Sequence, residues 1–335
     1  MTRTAIVCTI GPASERDQVL RGMLEAGMAY ARLNFSHGTA DHHRQCAEAI
    51  RRVATELSLP LQIIQDLQGP KIRTVKAPPT RLRVADEVVL SGEAAPGALQ
   101  ISEPAALDAV APGDRVYIDD GAIELEIVER TREGLRCRVI IGGVLAGNQG
   151  VVFPSAKLAL PALTEKDLAD ASIGREIGVD WVALSFVRVS DDVEALRSHI
   201  SQGTRVIAKI ETPAALENIA SIISASDAVM IARGDLGVAI PRARVPIVQK
   251  DIIKACRQQG TESIVATEML LSMVRRRYPT RAEVADVATA VLDGCNAVML
   301  SEETAIGAYP VEAVSEMHNI IETIEASGYW VWGEE

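Results

Sequence analysis

Short, almost uninterrupted apolar runs recur along this chain, and stretches with helical spacing of apolar residues separate them. Runs that are apolar at successive positions are typical of parallel strands that are buried on both faces. We predict such strands at residues 4–10, 30–35, 61–67, 181–186, 206–211, 228–233, 263–267 and 297–301. Helices are predicted at residues 17–25, 41–57, 166–177, 193–200, 214–223, 245–259, 281–292 and 311–326. Eight β-α units predict an α/β fold, a TIM (β/α)8 barrel.

Residues 75–154 break this pattern. They contain many Gly and Pro residues, strand-like runs at 116–118, 123–128 and 135–141, and no convincing long helix. Gly-Asp, Asp-Asp-Gly and Glu-Gly pairs are typical of hairpin turns. We therefore predict an inserted, small all-β domain at residues 75–154, with the barrel formed by residues 1–74 and 155–335.

Composition narrows the class of protein. The chain is 48% hydrophobic but only 3% aromatic, and its net charge of −11 disfavours a nucleic-acid-binding surface. Five scattered cysteines without metal-ligand spacing indicate reduced thiols. There is no signal-like N terminus and no run of membrane-spanning length, so we expect a cytoplasmic protein that binds neither membrane nor nucleic acid. The aromatic tail at 328–332 predicts a hydrophobic clamp over the barrel or a contact in a homo-oligomer.

The segment AVMIARGDLGVAI at residues 228–240 is the most informative stretch. Its apolar run ends at Arg233, Gly234 and Asp235, and residues 236–240 could begin a short helix whose free N–H groups bind an anion. A carboxylate, a guanidinium and N–H donors at the end of a strand suit a small anion beside a divalent metal. The alternative is a strand-to-turn junction with a surface Asp.

Polar residues collect at the ends of the predicted strands, where TIM-barrel active sites lie. They are Arg32, Asn34, Ser36, His37, Asp66, Lys71, Arg73, Ser185, Lys209, Glu211, Arg233, Asp235, Thr267, Glu268, Ser301, Glu302 and Glu303. Lys209 and Glu211 are two apart on a strand and therefore face the same way. Glu211 and Asp235 end neighbouring strands, and two carboxylates without His or Cys suit Mg²⁺ or Mn²⁺. The alternative is a buried Lys–Glu ion pair without a catalytic role.

Arg32, Arg73 and Arg233 are expected to converge from three strands. Three guanidiniums near a metal imply a ligand with several negative charges, such as phosphate and carboxylate groups. The alternative is that these arginines are solvated at the surface.

Several motifs carry a resemblance to a known family. They are TAIVCTIGPAS at 4–14, ARLNFSHG at 31–38, DLQGPKIRT at 66–74, ALSFVR at 183–188, AKIET at 208–212, MIARGDLGVAIP at 230–241, VATEML at 265–270 and the block at 279–314. Over about 300 residues and in the same order, they resemble the pyruvate kinase family. The resemblance implies a barrel with an inserted mobile lid. The C-terminal α/β domain of typical members is not expected here, so effector control through such a domain is not expected either.

The resemblance also implies roles for individual residues. Glu211 and Asp235 match the Mg²⁺ or Mn²⁺ ligands, and Lys209 matches the lysine that supports the phosphoryl group and the enolate oxygen. Thr267 matches the residue beside the proton-transfer face, and Arg32 matches a phosphate-side arginine, which makes Lys209, Thr267 and Arg32 the expected catalytic residues. The expected substrate-binding set is Arg32, Arg73, Lys209, Arg233, Gly234, Asp235, Thr267 and Ser301.

The monovalent-cation pocket of the family matches Asn34, Ser36 and Asp66. The family's Asp-Thr-Lys-Gly-Pro-Glu reads here Asp-Leu-Gln-Gly-Pro-Lys. This form resembles the potassium-independent branch, in which the ammonium of Lys71 would stand in for K⁺.

This chain departs more strongly from the family pattern at the residues that match the nucleotide-binding half of the site. Residues 147–150 read Gly-Asn-Gln-Gly where paired lysines are common, Ile306 replaces a lysine, and Glu268 replaces a glutamine. Three hypotheses follow. The chain is a pyruvate kinase-like transferase acting on phosphoenolpyruvate and ADP; or it is a metal-dependent, aldolase-type enzyme that uses pyruvate enolate without nucleotide; or it is a non-catalytic paralogue that binds pyruvate or phosphoenolpyruvate.

Overall fold

The computed structural model describes residues 2–75, 78–156 and 161–329. The strands are β1 Ala5–Thr9, β2 Met28–Asn34, β3 Gln62–Asp66, β4 Thr80–Leu82, β5 Glu87–Ser91, β6 Ala98–Gln100, β7 Arg115–Ile118, β8 Ile123–Arg130, β9 Leu135–Ile141, β10 Gly143–Leu145, β11 Val151–Val152, β12 Trp181–Leu184, β13 Arg205–Ile210, β14 Ala228–Ala232, β15 Glu262–Ala266 and β16 Ala297–Leu300. Eight of them form a closed parallel barrel in the order β1-β16-β15-β14-β13-β12-β3-β2, which confirms the predicted TIM-type fold.

Helices follow the barrel strands, as parallel connections require. They are α1 Asp17–Glu25, α2 Ala40–Leu57, α3 Ala105–Asp108, α4 Glu165–Ile177, α5 Ser190–Arg197, α6 Pro213–Glu217, α7 Ile219–Ala225, α8 Arg233–Ala239, α9 Val245–Gln259, α10 Arg281–Asp293, α11 Glu302–Ala305 and α12 Pro310–Ala326, with 3₁₀ turns at Arg242–Arg244 and Leu271–Val274. Capping residues fix several helix starts. Thr280 and Glu283, for example, form a complete capping box at the start of α10.

The segment between β3 and α4 forms sheets of its own. One has six strands in the order β11-β7-β8-β9-β5-β6, and the other pairs β10 with β4. Residues such as Leu90, Val116 and Leu125 form a hydrophobic cluster that is separate from those of the barrel. The single helix among the described residues of this segment, α3, has four residues, in keeping with the all-β expectation. The boundaries at 75 and 154 stay a prediction.

Three predicted helices differ from the structure. The helix expected at residues 193–200 lies three residues earlier, as α5 Ser190–Arg197. The predicted helix at 214–223 is two helices, α6 and α7, which are divided at Asn218. The Asn218 amide donates to the carbonyls of Ala214 and Arg188, and this competes with regular helix bonding. The helix expected to start at residue 236 begins instead at Arg233, directly after β14. Arg233, Gly234 and Asp235 therefore form its first turn rather than a turn before it.

The structure tests three expectations for the whole chain only in part. All five cysteines are free and buried. Among the described residues, no helix combines the length and the apolar character that crossing a membrane requires. Most of the aromatic tail at 328–332 lies outside the described residues, so the subunit contact stays a prediction.

Side chains at alternate positions of the barrel strands fill the barrel interior. This interior cluster includes Val7, Ile64, Trp181, Ala183, Ile207, Ala228, Met230, Ile264 and Met299. The intervening residues, such as Val206 and Ala208 of β13, pack between the strands and the helices. The same alternation predicts that the residues two positions further along also face inward. At the C-terminal ends of the strands these are Thr9, Asp66, Ser185 and Lys209.

Candidate active site

Lys209, near the C-terminal end of β13, is the centre of the polar cluster. Its Nζ lies 2.7 Å from Oγ of Ser185, 3.2 Å from Oδ1 of Asp66 and 3.1 Å from Oε1 of Glu211. Burial alone lowers the pKa of Lys209, but the negative charges of Asp66 and Glu211 outweigh burial, and the pKa is raised. Lys209 is therefore a buried ammonium at neutral pH, held by groups from three neighbouring strands.

Asp66 connects this ammonium to Arg32. Its Oδ2 accepts a hydrogen bond from Nε of Arg32 at 2.7 Å, and Nη1 of Arg32 donates to Oγ1 of Thr9 at 2.9 Å. Burial alone would raise the pKa of Asp66, but the charges of Lys209 and Arg32 outweigh it and lower the pKa. Asp66 therefore remains a carboxylate and holds two cations at fixed positions above the barrel interior.

Glu211 and Asp235 lie on successive β-α units. Glu211 is 2% exposed, and its Oε2 accepts from the backbone N–H of Phe186 at 2.7 Å. Burial raises the pKa of Glu211; the positive charge of Lys209 opposes this rise, and the negative charge of Asp235 adds to it. The negative charge of Asp235 thus disfavours the ionised form of Glu211, and a cation between the two carboxylates would relieve this repulsion.

Thr267 holds the first turn of α8. Its Oγ1 accepts from the N–H of Gly234 at 2.7 Å and donates to the carbonyl of Ala266 at 2.6 Å. Thr267 and Glu268 both have a positive φ, of 72° and 56°. Strained backbone of this kind often occurs at functional sites, and here it directs the Thr267 hydroxyl towards the helix start.

The three arginines contact different partners. The guanidinium of Arg233 forms two bonds of 2.7 Å to the carboxylate of Asp286 on α10, and Nη2 also donates to the carbonyl of Thr267. Arg73 donates to the carbonyl of Asn148 at 3.0 Å, whereas Arg32 contacts Asp66. The three guanidiniums therefore have different partners within the chain, and their convergence on one ligand stays a prediction. A substrate-binding role for Arg73 and Arg233 stays a prediction.

The four residues expected around a monovalent cation have different partners within the chain, and a pocket that they share stays a prediction. Oδ1 of Asn34 accepts from the N–H of Ser36 at 3.1 Å, which fixes the turn after β2. Asp66 contacts Arg32 and Lys209, as described above. The Nζ of Lys71 lies instead 3.1 Å from Oδ1 of Asp235. Lys71 therefore makes its ion pair with one of the two carboxylates of the expected divalent-metal site.

A cavity of about 550 Å³ lies between the barrel and the inserted sheets. Its barrel wall includes Glu211 and Asp235, and its other wall includes Val151 and Phe153 beside Lys71. The volume is large enough for a small organic ligand. The two carboxylates thus face a space that both parts of the chain enclose.

Ser301 follows β16, and its N–H donates to Oε2 of Glu303 at 2.7 Å.

A comparison with protein families gives one match, to the model described as "Pyruvate kinase, barrel domain", over residues 1–314. The chain belongs to the pyruvate kinase family. Relatives within this family share 42–47% of aligned residues with the chain. They include Pyruvate kinase 2 of Synechocystis (47% identical over 96% of this chain), a pyruvate kinase of Agrobacterium vitis (44% over 98%) and one of Staphylococcus aureus (42% over 98%).

The chain spans only part of these pyruvate kinases. It covers 57% of the Synechocystis protein, 70% of the Agrobacterium protein and 58% of the Staphylococcus protein. Family membership therefore rests on the barrel and its insertion.

The structure joins two further residues to the cluster: Ser185, which the sequence placed at a strand end without a specific role, and Thr9, which it did not single out. Ser185 bridges Lys209 and the carbonyl of Leu67, and Thr9 bridges Arg32 and the carbonyl of Leu300. The pattern that indicates both residues is the alternation of inward-facing positions along a strand. Two positions after Ala183 is Ser185, and two positions after Val7 is Thr9.

Proposed function

We propose that this chain transfers a phosphoryl group between phosphoenolpyruvate and ADP through a pyruvate enolate, with Mg²⁺ or Mn²⁺ as cofactor. The names of its relatives support the kinase activity, and the polar cluster around Lys209 supports the enolate chemistry. Catalysis would consist of positioning and electrostatic stabilisation, as is usual for phosphoryl transfer.

The single observation that carries the proposal is the environment of Lys209. Its buried ammonium already has acidic partners in Asp66 and Glu211 at 3.2 and 3.1 Å. A preorganised ammonium stabilises negative charge that develops nearby, because it needs no reorganisation during the reaction. We infer that Lys209 donates to the oxygen that becomes the enolate, while Arg32, held by Asp66, binds the phosphoryl oxygens.

The metal proposal is supported by the donor set. The carboxylates of Glu211 and Asp235 line one cavity, and the pKa of Glu211 is raised by burial and by the charge of Asp235. Two hard oxygen donors in mutual repulsion fit Mg²⁺ or Mn²⁺ better than a soft metal. When bound, the ion would neutralise substrate charge and orient the carboxylate and phosphate groups.

The start of α8 completes the proposed substrate site. The N–H groups of this turn would bind the substrate carboxylate, and Thr267, bonded to Gly234 at 2.7 Å, would fix their direction. We infer that the Thr267 hydroxyl lies beside the face at which the enolate carbon takes its proton. Lys71 would supply a fixed positive charge, so that K⁺ is not required.

An assay of pyruvate formation from phosphoenolpyruvate tests the proposal. We expect turnover that requires ADP and Mg²⁺ and proceeds without K⁺. Lys209→Met should abolish it, and the matched control Lys254→Met, an exposed lysine of α9, should not. If no nucleoside diphosphate supports turnover, the kinase proposal fails. Metal-dependent deuterium exchange into the pyruvate methyl group would then indicate the aldolase-type alternative, and ligand binding without exchange the non-catalytic one.

A further inference from the structure

A second group of metal-ligating side chains lies apart from the Lys209 cluster. Glu15 lies in the loop between β1 and α1, and His42 and Cys46 lie in the first two turns of α2. The two α2 residues are four positions apart and therefore share one face of the helix. Together they present a carboxylate, an imidazole and a thiol from two neighbouring β-α loops.

The three side chains converge on the imidazole of His42. Its Nε2 lies 3.6 Å from Oε2 of Glu15 and 3.5 Å from Sγ of Cys46, and the three donor atoms lie within 4.8 Å of one another. For a tetrahedral zinc ion with ordinary bond lengths, neighbouring ligand atoms are separated by about 3.4–3.6 Å. The two measured distances agree with this geometry.

Hydrogen bonding explains only one of the two contacts: Sγ of Cys46 lies within hydrogen-bond distance of Nε2 of His42, whereas Glu15 does not. A separation of 3.6 Å between His42 and Glu15 is too long for a hydrogen bond, and both side chains are about 40% exposed, so an ion pair between them contributes little. Cys46 is buried. Burial, with a smaller contribution from Glu15, raises its pKa to about 11, so without a metal it is a thiol rather than a reactive thiolate.

The backbone holds these ligands in place. The N–H of Glu15 donates to the carbonyl of Gly11 at 3.0 Å, and the N–H of His42 donates to Oγ1 of Thr39, the N-cap of α2. The next residue, His43, stacks on Phe35 with ring centroids 3.9 Å apart. The loop after β1 and the start of α2 are therefore ordered by contacts that do not depend on a metal.

We propose that Glu15, His42 and Cys46 bind one Zn²⁺ ion, with solvent as the fourth ligand. The mixed nitrogen, sulfur and oxygen donors select borderline-soft cations over Mg²⁺, so this site and the carboxylate pair Glu211–Asp235 take different metals. The exposure of Glu15 and His42 leaves a path by which the ion can enter. Bound zinc joins the loop after β1 to α2 and stabilises the segment that carries Asn34 and Ser36.

Cobalt is a spectroscopic probe for this site, because a thiolate ligand gives Co²⁺ a charge-transfer absorption that carboxylates do not. The full chain is titrated with Co²⁺ in excess Mg²⁺. We expect the band to saturate at one Co²⁺ per chain and to disappear when Zn²⁺ is added. Cys46→Ser and His42→Gln should lose the band. His199→Gln, an exposed histidine outside the cluster, should keep it.

Two results would overturn the proposal: no charge-transfer band in the unmodified chain, or a band that persists in Cys46→Ser. Circular dichroism checks that each variant is folded. If Cys46→Ser does not fold, Glu15→Gln on the exposed loop replaces it, and Co²⁺ affinity at least tenfold weaker than in the unmodified chain is then required. None of these measurements depends on kinase activity, so the zinc proposal and the proposed function can fail separately.

Discussion

The ammonium of Lys71 lies 3.1 Å from Oδ1 of Asp235. The positively charged side chain of Lys71 is therefore paired with a carboxylate that we propose as a metal ligand. The side chains of both residues are about a quarter exposed, at 23% and 24%. Lys71 follows β3 and Asp235 follows β14, so the pair connects loops from strands that are three places apart around the barrel. The sequence predicted the positive charge of Lys71 beside Asn34, Ser36 and Asp66, and in the structure its Nζ pairs with Asp235, one of the two proposed metal ligands.

This contact makes the dependence on K⁺ testable. We expect Lys71→Gln to lower turnover in K⁺-free buffer by about 10- to 100-fold, the equivalent of one charge-assisted interaction. Added K⁺ should restore part of the activity, because it can supply the missing positive charge. Turnover is measured with and without K⁺, with Lys254→Gln as the matched control. Unchanged K⁺-free turnover in Lys71→Gln would show that the ammonium is not needed.

Lys209→Met should affect both activity and stability. We expect turnover to fall by at least about 100-fold, since a preorganised donor to a developing oxyanion is lost. We also expect a loss of about 3–5 kcal/mol in the free energy of unfolding at neutral pH, because Asp66 and Glu211 would remain buried without their shared cation. Denaturant unfolding measures the second effect. If stability is unchanged, the ion pairs at 3.1 and 3.2 Å are not a structural requirement.

A variant at Asp286 tests whether Arg233 positions α8 or binds the substrate. Its guanidinium is bonded twice to Asp286, which connects α8 to α10. Asp286→Asn should cost about 1–3 kcal/mol in the free energy of unfolding, as expected for a charged hydrogen-bonded pair that is partly exposed. If Arg233 only positions α8, any rise in KM for phosphoenolpyruvate should come with this loss of stability, because the first turn of α8 is part of the proposed substrate site. A large rise in KM with little loss of stability would instead indicate that Arg233 is a substrate ligand.

The fold and the centre of the candidate site follow from periodicity, whereas the pairing of long side chains does not. Strands such as β14 have continuous apolar runs, and Lys209 and Glu211 can be placed on one face by counting. Arg233 could not be placed in this way, because a guanidinium at the end of a strand can turn inwards or towards a helix. Its direction depends on Asp286, which is more than 50 residues away in sequence.

The capping box of α10 gives a pH-dependent prediction. The carboxylate of Glu283 accepts from the N–H groups of Ser272 and Thr280 at 2.7 Å each, and from both of their hydroxyls. Partial burial tends to raise the pKa of Glu283, but these hydrogen bonds outweigh burial and lower it. A carboxyl group whose pKa is lowered by folding contributes stability that is present above its unfolded pKa and is lost as the pH falls through its folded pKa.

We therefore expect Glu283→Gln to reduce the free energy of unfolding by about 1 kcal/mol at pH 7. The difference between the variant and the unmodified chain should shrink as the pH falls below the usual value for glutamate, because the unmodified carboxylate then also becomes protonated. Denaturant unfolding at a series of pH values measures this difference, and Glu322→Gln, an exposed residue of α12, is the control. A difference that stays constant down to low pH would mean that the negative charge of Glu283 does not contribute to the cap.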